Sequence, residues 1–406
     1  MNIPRLRFSE FNDEWITKSM NELGEFKNGI NKSKSDFGFG FPFVNLMDVF
    51  GKTLLDNEIE LELVNVSEKE LLNYDLIKGD VLFIRSSVKK SGVGETIVVN
   101  EDLDKTVYSG FLIRFRENKS SLYYSFKNYC FWTTNFRKQV INLSTTSANT
   151  NINQESLNKV HLTFPSLPEQ QKIADFLTAV DKRIELLEKK KTLLETYKKG
   201  VMKKIFNQEI RFKDDNGNDF PDWEEKKVLE ICEVKVGGTP STSKSEYWDG
   251  EIPWINSGEI KDGIITEPSR YITDLGLKRT STYLLPKGAS VLAMTGATLG
   301  KMGMLGFTST ANQSVAGFVT DPITSKFIFY NFIYDQKQIL SKAGGAAQKG
   351  VNKNTIENFD IRIPCSEEQV KISGFLSSID NQIELLVSQI DKSKTWKKGL
   401  LQKIFV

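Results

Sequence analysis

The chain has 406 residues, 26% charged and 39% hydrophobic, with a formal net charge of +2. That is the composition of a folded protein with room for two or three domains, each able to bury a core. It excludes several classes: no apolar run approaches a membrane span of about 18 residues, and Met1-Asn2-Ile3-Pro4-Arg5 has no signal-peptide stretch. The scattered Cys130, Cys232 and Cys365 form neither a disulfide framework nor a zinc pattern, and the lone His161 rules out a multi-histidine metal site. A reducing cytoplasm is the expected setting.

In chain order, residues 1–165 read as a first mixed domain. Its β-branched and aromatic runs at 81–84, 96–99 and 111–115 predict strands, and 121–142 predicts an amphipathic helix. Charge is uneven here: residues 47–75 hold eight acids and two lysines, whereas 114–159 hold seven basic residues against Glu117 and Glu155. Such a field orients a polyanion on one face. Two loops carry small polar, amide and basic side chains, Arg85-Ser86-Ser87-Val88-Lys89-Lys90 and Ser144-Thr145-Thr146-Ser147-Ala148-Asn149-Thr150-Asn151.

Residues 166–207 predict one long helix. Ile173, Leu177, Val180, Ile184 and Leu187, then Leu194, Val201 and Ile205, follow the four-three spacing of a coiled-coil seam, broken by Lys191 and Lys198. Roughly 39 residues give a rod of about 58 Å. Residues 208–364 predict a second mixed domain, with strands at 252–255, 290–294, 316–319 and 360–363 and a helix at 324–342. A final helix at 365–406 repeats the seam as Ile372, Leu376, Ile379, Ile383 and Leu386, then Ile390, Leu400 and Ile404, broken by Ser393 and Lys397. Such rods need partners, and each other is the obvious choice. An antiparallel pairing then puts the two domains at opposite ends.

The second half copies the first. Residues 165–206 overlay 364–405 without a gap, and 19 of the 42 positions are identical. The globular parts are more diverged copies. Arg7-Phe8 and Trp15 match Arg211-Phe212 and Trp223, and Pro42–Asn45 match Pro253–Asn256. Val81–Ile84 are set against Val291–Met294, and Ser109–Phe111 against Val315–Phe318. The elements agree and the loops differ: the second copy has Thr295-Gly296-Ala297-Thr298-Leu299-Gly300-Lys301 and Ala343–Gly350. A period near 200 is too long for a solenoid, so this is one whole unit, duplicated. One scaffold with two sets of polar and basic loops suits the reading of two DNA sequences. Arg and Lys reach guanine edges, Asn and Gln match adenine, and Ser or Thr serve either; lysines and glycine-turn amides hold phosphates. The candidate DNA-reading residues are Arg85, Ser86, Lys89, Lys90, Thr145, Thr146, Asn149 and Asn151 in the first copy. In the second they are Thr239, Ser241, Lys244, Thr295, Thr298, Lys301, Asn312, Gln313, Gln348, Lys349 and Asn352.

No chemistry of its own is evident. The Asn/Asp-Pro-Pro-aromatic tetrapeptide of an adenine methyltransferase is missing, as is a GxSxG motif. Gly296–Met302 is one residue short of a P-loop and lacks its hydroxyl. Pro221-Asp222 with Glu224-Glu225-Lys226 is similar to a nuclease motif, but its acids are too close in sequence to flank a metal, so a surface turn is expected.

With Pro-x-x-x-Glu-Gln-x-x-Ile-x-x-Phe-Leu at both 165–177 and 364–376, the chain resembles the specificity subunits of type I restriction-modification systems. Gly237-Gly238-Thr239-Pro240-Ser241, Trp248–Ile255, Asn312-Gln313 and Gln348–Lys353 add to the likeness; the first copy departs from it, with Asn28-Gly29-Ile30-Asn31-Lys32 at the glycine turn. The resemblance implies an α+β fold with two target recognition domains in tandem, separated by two long helices forming an antiparallel coiled coil. It implies double-stranded DNA with a bipartite target as ligand and two methyltransferase (HsdM) subunits docked on the helices. Two motor-nuclease (HsdR) subunits complete the complex. S-adenosylmethionine, and ATP with Mg for restriction, would belong to those partners, leaving this chain no cofactor, no metal and no catalysis. The alternatives are a coiled-coil scaffold that ignores DNA and a stand-alone DNA-modifying enzyme.

Overall fold

The computed structural model describes residues 3–56, 59–345 and 349–406. It divides into two compact units, Met1–Glu188 with Ser388–Val406, and Lys189–Val387. Each unit therefore holds one globular part, the beginning of one long helix and the end of the other.

In the first unit a five-stranded sheet runs in the order Gly24–Asn28, Leu112–Glu117, Val81–Ile84, Thr96–Val99, Leu54–Leu55. Val81–Ile84 and Thr96–Val99 are buried at every position, as β-branched and apolar runs are when both faces of a strand are covered. A three-stranded sheet of Glu62–Val64, Phe37–Val44 and Val107–Tyr108 lies in the same unit. A two-stranded ribbon pairs Ile16–Ser19 with His161–Phe164, where His161 is exposed.

The second unit repeats this order strand for strand. Its five-stranded sheet is Glu233–Val236, Val315–Val319, Ser290–Ala293, Met302–Leu305, Gly263–Ile265, and its three-stranded sheet is Arg270–Ile272, Trp248–Ile255, Thr310–Ala311. The registers correct the alignment of the copies. Val81 pairs with Phe115 and Ser290 with Phe318, so Val81–Ile84 is equivalent to Ser290–Ala293, one residue earlier than the sequences suggest. Leu112 pairs with Ile84 as Val315 does with Ala293. Phe111 is thus level with Ser314, and Phe115 with Phe318. Strand register fixes which face each side chain takes, and sequence matching by glycines missed it.

Further expectations change. The helix expected over 324–342 is two, Pro322–Tyr334 and Gln336–Ser341, parted at Asp335. The single helix over 121–142 is two, Lys127–Cys130 and Thr134–Leu143, because the Thr133 side chain caps the second by accepting from Phe136 N–H. Glu224–Lys227 is a strand paired with Asp360–Ile363, not a turn, while Asp222 pairs with Arg211.

The long helices span Leu167–Phe206 and Ser366–Ile404. Ile173, Leu177, Val180 and Ile184 are buried in the first unit's core, together with Trp15, Phe126, Leu400, Ile404 and Phe405. Ile372 and Leu376 join Trp223, Phe327, Met202, Ile205 and Phe206 in the second unit's core. Ile379 and Leu386 are buried too, whereas Leu187 and Ile383 are only half-buried. The seam thus serves two surfaces at once: the unit's own sheets and helices, and the last turns of the other long helix.

Charge supports the antiparallel arrangement. Residues 167–188 carry five acids and three bases, and 189–206 one acid and seven bases; residues 366–387 carry four acids and one base, and 388–404 one acid and five bases. Each unit therefore brings an acidic helix start against a basic helix end. In the first unit Lys397 pairs with Asp181 and Lys394 with Glu188; in the second Lys198 pairs with Asp380. Two lysines that break the apolar seam are thereby accounted for.

Gly200 and Gly399 lie inside the helices, and a methyl group built on either meets nothing within 4 Å. Neither marks a close approach within the chain. Replacing the exposed Gly200 by Ala should raise stability by about 1 kcal/mol, measured by denaturant unfolding.

Candidate nucleic-acid interface

Strand Val81–Ile84 ends in a loop, residues 85–93, that closes when Gly94 N–H donates to Ile84 O at 2.7 Å. Gly94 has φ +64°, and its counterpart Gly300, with φ +78°, donates to Ala293 O at 2.9 Å. Glycine supplies this left-handed turn at low cost. The second loop, 294–299, is three residues shorter.

Each loop is paired with the other candidate loop of its unit. In the first unit Ser86 faces Asn151 and Ser87 faces Thr150, while Thr145 and Thr146 pair with Asn151 and Thr150. In the second, Thr295 and Gly344 both bridge Gly350. Segments some 60 residues apart in sequence thus form one small surface at a strand end in both copies.

Exposed on the first surface are Lys89, Lys90, Thr145, Thr146 and Asn149. Arg85 is half-buried, its Nη1 3.4 Å from Gly110 O, and Asn151 donates from Nδ2 to Asn149 O at 3.0 Å. On the second, Lys349 is exposed, Thr298 donates to Ser257 O at 2.7 Å, and Lys301 pairs with Asp262. Thr239 donates to Gln313 Oε1 at 2.5 Å, and Asn312 Oδ1 accepts from Ser314 N–H. Met294 N–H donates to Ser314 O, which places the 312–314 turn beside the loop.

Other candidates are placed elsewhere or are already occupied. The Ser241 carbonyl accepts from Trp248 Nε1 and Lys244 bonds the Tyr247 hydroxyl, so both sit by the three-stranded sheet. Asn352 caps the helix Lys353–Glu357, its Oδ1 accepting from Thr355 N–H at 2.8 Å, as Asn153 does for Gln154–Asn158. That cap explains why this asparagine recurs. Gln348 lies outside the described residues. After Lys301 the chain enters the strand Met302–Leu305, whereas a phosphate-binding P-loop leads into a helix. Among the described residues no group of three His, Cys, Asp or Glu could hold a metal ion, and no helix is long and apolar enough to cross a membrane.

Side chains behind the loops hold them in place. Arg137 Nη2 donates to Ser91 O and Val93 O, both at 2.7 Å, and burial lowers its pKa. Gln336 donates to Gly300 O at 3.1 Å in the second unit.

Sequence reading also missed the roles of two kinds of cluster, each present once in either unit. Glu169 accepts from Arg7 at 2.8 and 2.7 Å and from Trp15 Nε1 at 3.3 Å; Glu368 accepts from Arg211 and Trp223 in the same way. The Tyr129 hydroxyl donates to Asp181, the partner of Lys397, and Tyr330 donates to Asp380, the partner of Lys198. The recurrence of Arg, Trp, Glu, Asp and Lys in both copies was the signal.

With this doubled geometry in view, the chain belongs to the type I restriction modification DNA specificity domain family, whose model matches twice, at residues 12–196 and 221–392. It is 24% identical to the putative type I restriction enzyme MjaX specificity subunit of Methanocaldococcus jannaschii, covering 98% of this chain and 95% of that protein. The MjaIX specificity subunit of that organism is 32% identical over 44% of this chain and 43% of its own length. Among solved structures, the type I restriction-modification S subunit from M. genitalium superposes with a TM-score of 0.61 at 14% identity, covering 99% of both chains.

Asp335, between helices Pro322–Tyr334 and Gln336–Ser341, is pushed up to about 6 by burial, against the pull of Arg362. Its folded-state pKa exceeds the unfolded value, so the folded protein gains protons, and stability, as pH falls from 7 toward 4. Asp335→Asn should therefore stabilise the protein at pH 7–8, with the advantage gone near pH 4. Thermal unfolding across that range measures it.

Proposed function

We propose that this chain is the sequence-reading subunit of a type I restriction-modification complex. Each unit reads one half of a bipartite duplex target through its paired loops. The long helices dock two methyltransferase subunits and fix the separation of the halves. The observation that carries this is the duplication itself: one scaffold, in two copies, presents two unlike sets of polar and basic side chains at the same strand end. S-adenosylmethionine, and ATP with Mg for cleavage, would act in the partner subunits, and this chain would contribute recognition and assembly without catalysis.

The test is long-read mapping of N6-methyladenine in cells expressing the chain with its methyltransferase partner, against the methyltransferase alone. A split motif with a fixed gap, seen only with both chains, is expected. Absence of any motif from a pair that co-purifies would refute the reading. Replacing exposed Lys349 by Ala should weaken DNA binding evenly across sequences and lower the slope of log affinity against log salt by about 1. Titrations at several salt concentrations would show it.

A further inference from the structure

The two reading surfaces differ in kind. Around the first loop stand four solvent-facing apolar side chains: Val88 is 84% exposed, Met47 76%, Phe111 55% and Phe50 44%. The backbone gathers them. Phe111 O accepts from Arg85 N–H at 2.9 Å, at the loop's first residue. A Cβ on Gly92 would lie 3.1 Å from the Phe50 ring and 2.4 Å from Ser87 Oγ, so Phe50 borders the loop beside Val88. Met47 is one helical turn before Phe50, in the helix capped by Asn45. The second unit has the same cap at Asn256, and there the equivalent positions are Gly258, Lys261 and Ser314. The shorter loop has no counterpart of Val88.

Exposed apolar groups cost hydration and mark contact surfaces. Val88 lies among Arg85, Lys89 and Lys90, and no acid occurs from 85 to 94; Asp48, between Met47 and Phe50, is taken up as the cap's acceptor from Asn45 N–H at 2.8 Å. A basic rim complements phosphates, which leaves the apolar groups facing the groove between them. The apolar feature of a duplex major groove is the C5-methyl of thymine. We infer that the first unit reads thymine methyl groups in its half-site through Phe111, Met47, Phe50 and Val88, while the second unit, where Leu340 (41% exposed) stands beside Gly300 at the base of the loop, reads its half chiefly by polar contacts. This rests on the DNA-reading function proposed above.

The experiment uses the complex of this chain with its methyltransferase and duplexes of the mapped target. Uracil replaces thymine in one half at a time; it keeps the base pairing and removes only the methyl. In one half, affinity should fall about fourfold per contacted methyl, the equivalent of about 0.8 kcal/mol per buried group. The other half should be indifferent. The quadruple variant Met47→Gly, Phe50→Lys, Val88→Ser, Phe111→Ser, which removes all four exposed apolar side chains and installs the second unit's residues at three of the positions, should bind thymine and uracil duplexes equally. An equal penalty in both halves, none in either, or one that survives in the variant would overturn the inference. So would a variant that loses the methyltransferase yet still discriminates uracil, which would make the patch a protein-docking face. A wild-type complex with no sequence preference at all would instead defeat the DNA-reading function itself, before the uracil duplexes are compared.

Discussion

A carboxylate with almost no access to solvent sits in the first turn of each long helix. Glu169 and Glu368 have side chains 2% and 0% exposed, and an ionised group so placed is tolerated only with partners. Those partners, Arg7 with Trp15 and Arg211 with Trp223, come from the arm that precedes each globular part. The arm must therefore dock on the helix for the charge to be satisfied. One turn of helix, one arm and one sheet system become a single body, and every later feature inherits its position from that union. The neighbouring glutamine extends the tie, since Gln170 donates to the carbonyls of Ser121 and Pro165.

A second carboxylate, about three turns further on, performs a different coupling. Asp181 receives a hydroxyl from its own unit's Tyr129 and an ammonium from Lys397 on the other long helix, and Asp380 does the same with Tyr330 and Lys198. A coiled-coil seam made only of leucine and isoleucine would slide between registers. A charge that answers to two partners on separate elements fixes one register and ties it to the globular part. Opposite charge along the two halves of each helix disfavours the parallel alternative.

The duplication, both helices and most strands were legible in the sequence, because periodic apolar spacing and exact recurrence need no knowledge of tertiary contacts. The pairing of the loops was not. Ser86 with Asn151 is a contact between distant segments, and nothing in either segment names the other. Asn352 shows a related ambiguity: a helix cap recurs with its helix as faithfully as a ligand contact recurs with its ligand. Glycine-based alignment slipped where Gly317 suggested Gly110, since hydrogen-bond register, not composition, decides which residues are equivalent.

The closure of each of these loops on its own strand has an evolutionary consequence. Ile84 to Gly94 and Ala293 to Gly300 are fixed hydrogen-bonded gates of the same design, although nine residues pass between the first pair and six between the second. Length and content can change inside the gate without disturbing the sheet outside it, because loop closure depends only weakly on length. The fold thus works as a socket for interchangeable segments. If these loops read the target, as proposed above, a lineage under pressure to recognise new DNA need alter only these short insertions and can leave the helices and the arms untouched.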